Sequence, residues 1–464
     1  MSPLWTRDDA VAATGGSCAV DWRATGVSID TRTLQKGDIF VALSATRDGH
    51  DYVAQALEKG AAAALVSRIP DGLKNAPLLL VPDVLKGLEA LGIAARARTG
   101  AQVIAITGSV GKTGSKEMLR EALVGQGNIH VAEKSYNNHE GVPLTLARMP
   151  ADTDIAVIEI GMNHPGEIAP LALMARPHVA LITTVAPVHL AAFNSVDEIA
   201  AEKAEIFRGL EAGGIAVLNA DTETLHILEA AVSGANVIRF GHAEASDFRL
   251  VSFEVFDGST VVRAESPLGS ILFKLGGEGG HLAQNALGVL AGLYALNADI
   301  GRATLALASW HPPEGRGARQ DILLGPEGLD GSFTLINESY NANPASTRAA
   351  LETLARQAGR KVAILGDMLE LGETSPALHR ALAKAARGVD AVHTVGPFMA
   401  GVPFENRRIS TQSSAEMAAR IGRQIKAGDV VMVKGSLGMD MAKIIDALKN
   451  LGDAEAKKNS ERVT

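Results

Sequence analysis

Residues 107–113 read TGSVGKT, and an apolar or amphipathic segment flanks this loop on each side. The run before it, residues 103–106, is typical of a buried strand. The apolar residues after it recur at the spacing of one helix face: Met118, Leu119, Ala122 and Leu123. Residues 101–123 are therefore predicted to form a strand, a glycine-rich turn and a helix, an arrangement in which a phosphate group can bind at the turn.

The loop supplies four features that suit a nucleotide phosphate. Its glycines allow backbone N–H groups to approach an anion, and the helix N-terminus adds a favourable dipole. Lys112 contributes a positive charge, and Thr113 contributes a hydroxyl ligand for Mg²⁺. Standard Walker spacing would place a glycine at Ile106, so this loop is a shortened variant; the alternative is a glycine-rich turn without a ligand. The predicted phosphate-binding residues are Gly108, Ser109, Val110, Gly111, Lys112 and Thr113.

Length and composition indicate an α/β enzyme of about three domains. Hydrophobic residues make up 47% of the 464 residues, which argues against a disordered or fibrous chain. The net charge of −8, without a long basic run, argues against a nucleic-acid partner. A single cysteine excludes a disulfide framework. Because we find neither a signal-peptide pattern nor an apolar run of roughly 18 residues, we expect a cytoplasmic protein.

Strand-like runs alternate with helical patterns in three successive parts of the chain. This alternation predicts parallel sheets flanked by helices, with ligands at the carboxyl ends of the strands. We expect a small N-terminal α/β domain at 1–98, a central domain at 99–318 and a C-terminal α/β domain at 319–464. Alternating residues at 247–275, with a turn at residues 257–258, predict an antiparallel flap. The other predicted strands are residues 39–43, 62–66, 78–81, 103–106, 155–160, 179–185, 215–218, 333–336, 362–365, 391–395 and 430–433.

Three residues of the central domain are candidates for chemistry. Glu159 and His189 each end an apolar run, where they could reach a metal ion with Thr113, and the alternative for such a residue is a solvated strand cap. Lys203 falls on the apolar face of a helix that begins near Ser195. Burial there would lower the pKa of the lysine and favour an uncharged or modified amine, unless the side chain extends to water.

Polar clusters also follow strands in the outer domains. In the C-terminal domain they lie at residues 337–344, 366–368 and 434–436, and Glu338 could hold ribose hydroxyls. Three clusters at one sheet edge favour a ligand site over ordinary turns. In the N-terminal domain the clusters at 28–32 and 46–51 are compatible with either a ligand-binding loop or surface turns.

Several segments together resemble the Mur ligases, the ligase family of peptidoglycan synthesis, and within it the MurF type. The resemblance spans nearly the whole chain and rests on residues 107–113, 159–162, 203–207, 280–285, 339–344, 365–372 and 433–436. It implies an N-terminal UDP-sugar domain, a central P-loop ATPase domain and a Rossmann-like C-terminal domain that brings D-alanyl-D-alanine. The implied partners are UDP-N-acetylmuramoyl-tripeptide and D-alanyl-D-alanine, the implied cofactors are ATP and two Mg²⁺ ions, and we expect a monomer.

The resemblance also implies roles for individual residues. Lys112 would hold phosphates, Thr113 and Glu159 would bind Mg²⁺, His189 would serve a second Mg²⁺, and Lys203 would be a lysine that can be carbamylated. The implied nucleotide contacts are Asn285, Arg316 and Glu338. The implied substrate contacts are Ser28, Thr46, Asp48, His50, Asn137, Asn138, Tyr340, Asn341, Asn343 and Lys434. The chain differs from the usual family pattern at Gly114, Asn337 and Leu437.

The implied reaction joins a peptide carboxylate to an amine at the expense of ATP. The carboxylate is a poor electrophile, so it would first attack the γ-phosphate and form an acyl phosphate. The amine of D-alanyl-D-alanine would then displace phosphate. Two alternatives remain at this point: another amide ligase of the superfamily, such as a folylpolyglutamate synthase, or a P-loop nucleotide switch that has no amino acceptor.

Overall fold

The computed structural model describes residues 3–44, 46–256, 258–325 and 328–460. The strands are β1 Trp5–Thr6, β2 Arg23–Ala24, β3 Gly26–Ser28, β4 Asp38–Val41, β5 Ala63–Val66, β6 Leu78–Leu80, β7 Gln102–Thr107, β8 Ile129–Val131, β9 Ile155–Glu159, β10 Val179–Ile182, β11 Ile215–Asn219, β12 Asn236–Gly241, β13 Phe248–Phe256, β14 Ser259–Ser266, β15 Gly269–Gly276, β16 Ala318–Leu323, β17 Ser332–Glu338, β18 Arg360–Gly366, β19 Ala391–Val395, β20 Arg407–Thr411 and β21 Asp429–Lys434. The α-helices are α1 Arg7–Thr14, α2 Val53–Glu58, α3 Val84–Ala97, α4 Lys112–Ala122, α5 Gly141–Ala147, α6 Ile168–Ala175, α7 Val196–Ala204, α8 Leu225–Ala231, α9 Gly280–Ala295, α10 Ile300–Leu307, α11 Pro344–Ala355, α12 Ser375–Arg380, α13 Pro397–Ala400, α14 Ser414–Ile421 and α15 Ala442–Ser460.

These elements form three α/β units, as the sequence predicts. The first contains the parallel sheet β3-β4-β5-β6. It is joined firmly to the second unit: the Trp5 indole donates to the carbonyl of Ala147, and the buried Arg96 donates to the carbonyl of Ala175 at the end of α6. None of the helices in the described residues is both long and apolar enough to cross a membrane.

The second unit has a nine-stranded sheet in the order β15-β14-β13-β12-β11-β10-β7-β9-β8. From β8 to β13 neighbouring strands are parallel, and only β13, β14 and β15 pair antiparallel. The predicted flap therefore extends the main sheet instead of standing apart from it, and Asp257 of its predicted turn lies outside the described residues. Apolar side chains pack the sheet against α4, α9 and α10 on one face and against α5, α6 and α7 on the other.

The third unit has a six-stranded sheet in the order β16-β17-β21-β18-β19-β20. Only β16 runs antiparallel to its neighbour. Helices α14 and α15 pack on one face, and α11 packs on the other. Because β17, β21 and β18 are adjacent, the loops that follow them meet at one edge of the sheet.

Candidate active site

A cavity of about 570 Å³, the central cavity, lies between the central and third units. Its walls come from the loops after β7, β9 and β10, from the start of α9, and from the loops after β17 and β21. It brings together most of the residues predicted from sequence: Ser109, Val110, Gly111, Lys112, Thr113, Asn137, Asn138, Glu159, His189, Asn285, Arg316, Glu338, Tyr340, Asn341, Asn343 and Lys434. The three central loops meet there because β7 lies between β9 and β10 in the sheet.

The backbone of the glycine-rich loop leaves no room for side chains at its two glycines. Gly108 has a φ of 149°, and a Cβ there would lie 1.9 Å from the hydroxyl of Thr183. That hydroxyl donates to the carbonyl of Val110 at 2.6 Å and so fixes the loop to the end of β10. Gly111 has a φ of 89°, and a Cβ there would lie 2.8 Å from the side chain of Asn285. The loop can therefore bring its backbone close to a ligand at the start of α4.

Lys112 folds back onto this loop and donates from Nζ to the carbonyl of Gly108 at 2.6 Å. Burial lowers the pKa of its amine, the carboxylate of Glu159 opposes this shift, and the guanidinium of Arg316 adds to it. A phosphate bound at the loop would provide the anionic partner that this lysine lacks.

Glu159 ends β9 with only 1% of its surface exposed. Its carboxylate accepts hydrogen bonds from the Thr113 hydroxyl at 3.0 and 3.1 Å and from the Asn137 amide at 2.7 Å. The hydroxyl of Ser135 lies 2.9 Å from that of Thr113 and accepts from Arg316 at 3.4 Å. A hydroxyl and a carboxylate facing the cavity side by side form a hard oxygen pair, which suits Mg²⁺.

His189 lines the same cavity from the loop after β10. Its Nδ1 lies 2.8 Å from the carboxylate of Glu370 in the third unit, and this contact lowers the pKa of Glu370. Among the described residues, no three histidine, cysteine, aspartate or glutamate side chains gather closely enough to hold a metal ion. A cation here would therefore need phosphate oxygens and waters in addition to the protein ligands.

Lys203 lies at the end of α7, whose first turn is capped by the Ser195 side chain. Only 1% of the lysine is exposed, so the alternative in which it extends to water is wrong. Burial lowers the pKa of its amine well below the usual value, and the nearby charge of Lys112 adds to this effect. An uncharged amine close to the phosphate-binding lysine fits the chemistry of carbamate formation, although Lys203 does not itself line the central cavity.

The third unit contributes a buried ion pair at the ends of two adjacent strands. Lys434 is 2% exposed and donates to the carboxylate of Glu338 at 2.9 Å and to the carbonyl of Asn341 at 3.0 Å. The guanidinium of Arg316 lies 4.0 Å from the ring centre of Tyr340, a cation–π distance. These contacts fix the third-unit wall of the cavity.

Two residues at this edge, Asn343 and Asn337, serve local structure, and a third, Leu437, faces the cavity. Asn343 caps α11 by accepting from the backbone N–H of Ser346 at 2.9 Å. Asn337 accepts from Ser339, and Leu437 is 65% exposed where it lines the cavity.

The four residues predicted from the N-terminal unit lie away from the central cavity. Ser28 accepts from the backbone N–H of Asp30 at 3.3 Å, and Thr46 is exposed. His50 is buried, with Nδ1 2.7 Å from Asp48 and Nε2 accepting from the backbone N–H of Ser67. These contacts hold the loop in shape, and a substrate role for the four residues stays a prediction.

Two further cavities adjoin the central one. A cavity of about 370 Å³, the hinge cavity, shares His281, Arg316 and Glu338 with it. A cavity of about 650 Å³ between α3 and α6, the side cavity, shares Asn138, Gly161 and Glu167 with it. The site can therefore receive extended ligands from two directions.

Some residues that shape the site were not predicted. Asn219 ends the apolar strand β11 and donates to the carbonyl of Thr183, so it follows the same pattern as Glu159 and could have been found. Ser135 lies in a coil segment whose sequence gives no signal. Lys116 is completely buried and donates to the carbonyls of Ala132 and Lys134, which anchors that segment to α4.

Comparisons with known proteins agree with this geometry. Family models match residues 23–132 as "Mur ligase family, catalytic domain", 106–293 as "Mur ligase middle domain" and 327–437 as "Mur ligase, glutamate ligase domain". A relative from Escherichia coli named "UDP-N-acetylmuramoyl-tripeptide--D-alanyl-D-alanine ligase" is 37% identical over 92% of this chain and 94% of its own length. A Rickettsia prowazekii relative of the same name is 31% identical over 96% and 99%.

Solved structures show the same relationship. The crystal structure of MurF from Acinetobacter baumannii matches with a TM-score of 0.85 and 29% identity, over 97% of this chain and 99% of the other. The MurF ligase from Thermotoga maritima in complex with ADP matches with a TM-score of 0.77 and 25% identity, over 94% and 99%. The three-unit fold, the phosphate loop and these matches together mean that this chain belongs to the Mur ligase family, and within it to the MurF type.

Proposed function

We propose that this protein is an ATP-dependent ligase that adds D-alanyl-D-alanine to UDP-N-acetylmuramoyl-tripeptide and yields the UDP-linked pentapeptide. The observation that carries the proposal is the central cavity, in which a phosphate loop and a buried carboxylate of one unit face a cation and an aromatic side chain of another. The MurF relatives bear the name of this reaction.

The reaction requires two bond exchanges. An oxygen of the tripeptide carboxylate attacks the γ-phosphorus of ATP, the bond to ADP breaks, and an acyl phosphate forms. The free amine of D-alanyl-D-alanine then attacks the acyl carbon, and inorganic phosphate leaves with the electron pair of the C–O bond while the amine loses a proton. Water must be excluded between the two steps, because it would hydrolyse the acyl phosphate.

Lys112 and the loop amides hold the transferring phosphate. A donor preorganised in a buried site stabilises the charge that develops during transfer better than water does. Burial and the nearby Arg316 disfavour the charged form of Lys112 before nucleotide binds. Binding of an anion at the loop would remove that penalty, so the loop and its lysine favour a charged phosphate.

Thr113 and Glu159 would hold the Mg²⁺ that accompanies the nucleotide. This ion would offset the repulsion between the phosphate and carboxylate anions. We assign His189 and Lys203 to a second ion. Carbamylation of Lys203 would convert its neutral amine into an anionic ligand, and burial already favours the neutral form that reacts with carbon dioxide.

The nucleoside end of ATP would extend from the loop into the hinge cavity. Asn285 contacts the loop at Gly111, whereas Arg316 and Glu338 line both the central and the hinge cavity. These three residues are therefore the nucleotide contacts in our proposal. The dipeptide would meet Tyr340, Asn341, Asn343 and Lys434.

The muramoyl peptide would approach from the opposite side. Asn137 and Asn138 would receive its reactive end, because both line the central cavity and Asn138 also lines the side cavity. The N-terminal loops with Ser28, Thr46, Asp48 and His50 would bind the UDP end. In this assignment residues 1–98, 99–318 and 319–464 are the UDP-sugar, ATPase and ligase domains of a monomer that acts in the cytoplasm.

The proposal is tested by incubating the protein with ATP, Mg²⁺ and UDP-N-acetylmuramoyl-tripeptide, with and without D-alanyl-D-alanine. We expect phosphate release that requires both acceptor and dipeptide, and a UDP-linked pentapeptide by mass spectrometry. Glutamate addition to a folate would instead support the folylpolyglutamate alternative. Equal ATP turnover without either substrate would support a nucleotide switch.

A further inference from the structure

Two residues with left-handed backbones meet where the central and third units touch. His189 has a φ of 55° and Glu370 a φ of 63°, and the carboxylate of Glu370 lies 2.8 Å from Nδ1 of His189. Such a backbone is unfavourable for residues other than glycine and tends to occur at functional sites. Among the described residues, the non-glycine residues with positive φ are Arg176, His189, Asn297, Glu370 and Asp440. Two of these strained residues thus form a hydrogen bond with each other, although they are 181 positions apart in the sequence.

The surrounding loops support this contact with backbone interactions. The backbone N–H of Ala191 donates to the carbonyl of Glu370 at 3.2 Å. Gly372, at a φ of 56°, lies so close to this loop that a Cβ would come within 3.2 Å of the carbonyl of Leu190. The segment 189–191 is therefore docked against 370–372 by main chain as well as by side chains. Residues 370–372 belong to the motif at 365–372 that marked the family resemblance, and the reaction described above gives Glu370 no role.

The position of the contact indicates what it does. The carboxylate of Glu370 is 62% exposed, whereas the ring of His189 is 19% exposed and lines the central cavity. An exposed pair of this kind contributes little to stability. A carboxylate bonded to one ring nitrogen does, however, fix the tautomer and the orientation of a histidine, and leaves the other nitrogen with its lone pair.

We propose that Glu370 is a positioning residue that acts through His189. Glu370 belongs to the third unit, so it can hold the proton on Nδ1 of His189 only when that unit lies against the central one. The lone pair of Nε2 is then available to a ligand in the central cavity. The effect on turnover rests on the proposed function, whereas the effect on the ring does not.

The first test compares three single variants. Glu370→Ala keeps the unfavourable φ but removes the carboxylate, and we expect kcat to fall about 10- to 100-fold with a much smaller change in KM for ATP. Glu370→Gln retains an oxygen that accepts from Nδ1–H, so it should recover most of the loss. Glu373→Ala, an exposed position in the same loop, is the matched control and should stay within about 2-fold of wild type. A Gln variant as slow as the Ala variant would overturn the proposal.

The second test measures the tautomer of the His189 ring directly. In protein labelled with ¹⁵N-histidine and free of nucleotide, NMR of the wild type should show His189 with the proton on Nδ1, and Glu370→Ala should shift it towards Nε2. An unchanged tautomer would overturn the proposal even if turnover fell. Conversely, if the wild type formed no pentapeptide while the tautomer shifted, the proposed function would fail and the role of Glu370 would stand.

A double variant shows whether Glu370 has any other route of action. In a His189→Ala background, Glu370→Ala should lower the remaining kcat no further. An additional 10-fold loss, about the full effect expected of the single variant, would mean that Glu370 acts independently of His189 and would overturn the proposal.

Discussion

Replacement of His393 by leucine should make the stability of this protein less sensitive to acid. His393 lies on β19, is 0% exposed, and has no hydrogen-bond partner for either ring nitrogen among the described residues. Its neighbours on the same face of the strand, Ala391 and Val395, belong to the apolar core beneath α14 and α15. Burial lowers the pKa of His393 from 6.5 to about 4, and the charges of Arg360 and Arg408 add to the effect.

The size of the effect follows from proton linkage. Between pH 6.5 and about 4 the unfolded chain binds a proton at this site that the folded chain does not, so the free energy of unfolding falls as the pH falls through that window. A shift from 6.5 to about 4 corresponds to roughly 3 kcal/mol. Leucine does not titrate and leaves no buried nitrogen unsatisfied. The variant should therefore be at least as stable as wild type at about pH 8, and should gain a further 3 kcal/mol or so relative to it by about pH 4.

Urea unfolding followed by far-UV circular dichroism, from about pH 8 to about pH 4.5, measures this difference. His379→Leu is the matched control, because His379 is equally buried but its Nε2 accepts from Met368 and its Nδ1 faces the carbonyl of Ser375. The control should lose stability already at about pH 8, since leucine leaves the buried backbone N–H of Met368 without its acceptor. If the free energy of unfolding fell equally with pH in wild type and in His393→Leu, the reasoning would be refuted.

Three further changes test the site. Thr113→Val removes the hydroxyl that we assign to Mg²⁺ and that donates to the buried Glu159 carboxylate, so the dissociation constant of ADP in the presence of Mg²⁺ should rise roughly 10- to 100-fold by calorimetry. Gly108→Ala places a methyl group 1.9 Å from the Thr183 hydroxyl at a φ of 149°, so KM for ATP should rise at least about 10-fold while far-UV dichroism stays unchanged. Lys116→Met removes a buried donor from the carbonyls of Ala132 and Lys134 and a cation that lies 2.7 Å from the Glu117 carboxylate, so urea unfolding should show a loss of about 1–3 kcal/mol.

Each of these changes has a control in the same chain. Thr145→Val removes a buried hydroxyl in α5 that bonds only within its helix, and should leave ADP binding unchanged. Gly100→Ala adds a methyl group with no neighbour within 4 Å at a glycine that does not line the central cavity, and should leave KM unchanged. Lys86→Met changes an exposed lysine and should leave stability nearly unchanged. A site variant that behaves like its control would contradict the geometry described for that residue.

The strands and helices that line the central cavity could be predicted because each of them has a pattern of apolar residues within one short segment. The apolar run 103–106, the glycines after it and the helical spacing that follows predict a strand, a turn and a helix, and the structure has β7 and α4 there. Glu159 was recognised because a carboxylate ends an otherwise apolar strand. Periodicity placed Lys203 on the apolar face of α7 but could not decide between a buried amine and one that extends to water, and the structure shows that the lysine is buried.

The contacts that complete the site could not be predicted, because they join distant segments. The bond between Asn137 and Glu159 depends on the order β7-β9-β8, which no single run of residues encodes. The contact of His189 with Glu370 depends on how the third unit rests on the central one. His393 was visible within an apolar strand, but whether its ring nitrogens find partners is decided by packing across the whole core.

The most direct test of the account follows the oxygen atoms of the tripeptide substrate. If the terminal carboxylate is labelled with ¹⁸O, attack on the γ-phosphorus and later loss of phosphate transfer one labelled oxygen to the inorganic phosphate. We expect one phosphate that carries one ¹⁸O atom for each pentapeptide formed. Pentapeptide formed together with unlabelled phosphate would contradict it, because the carboxylate would then have been activated without an acyl phosphate.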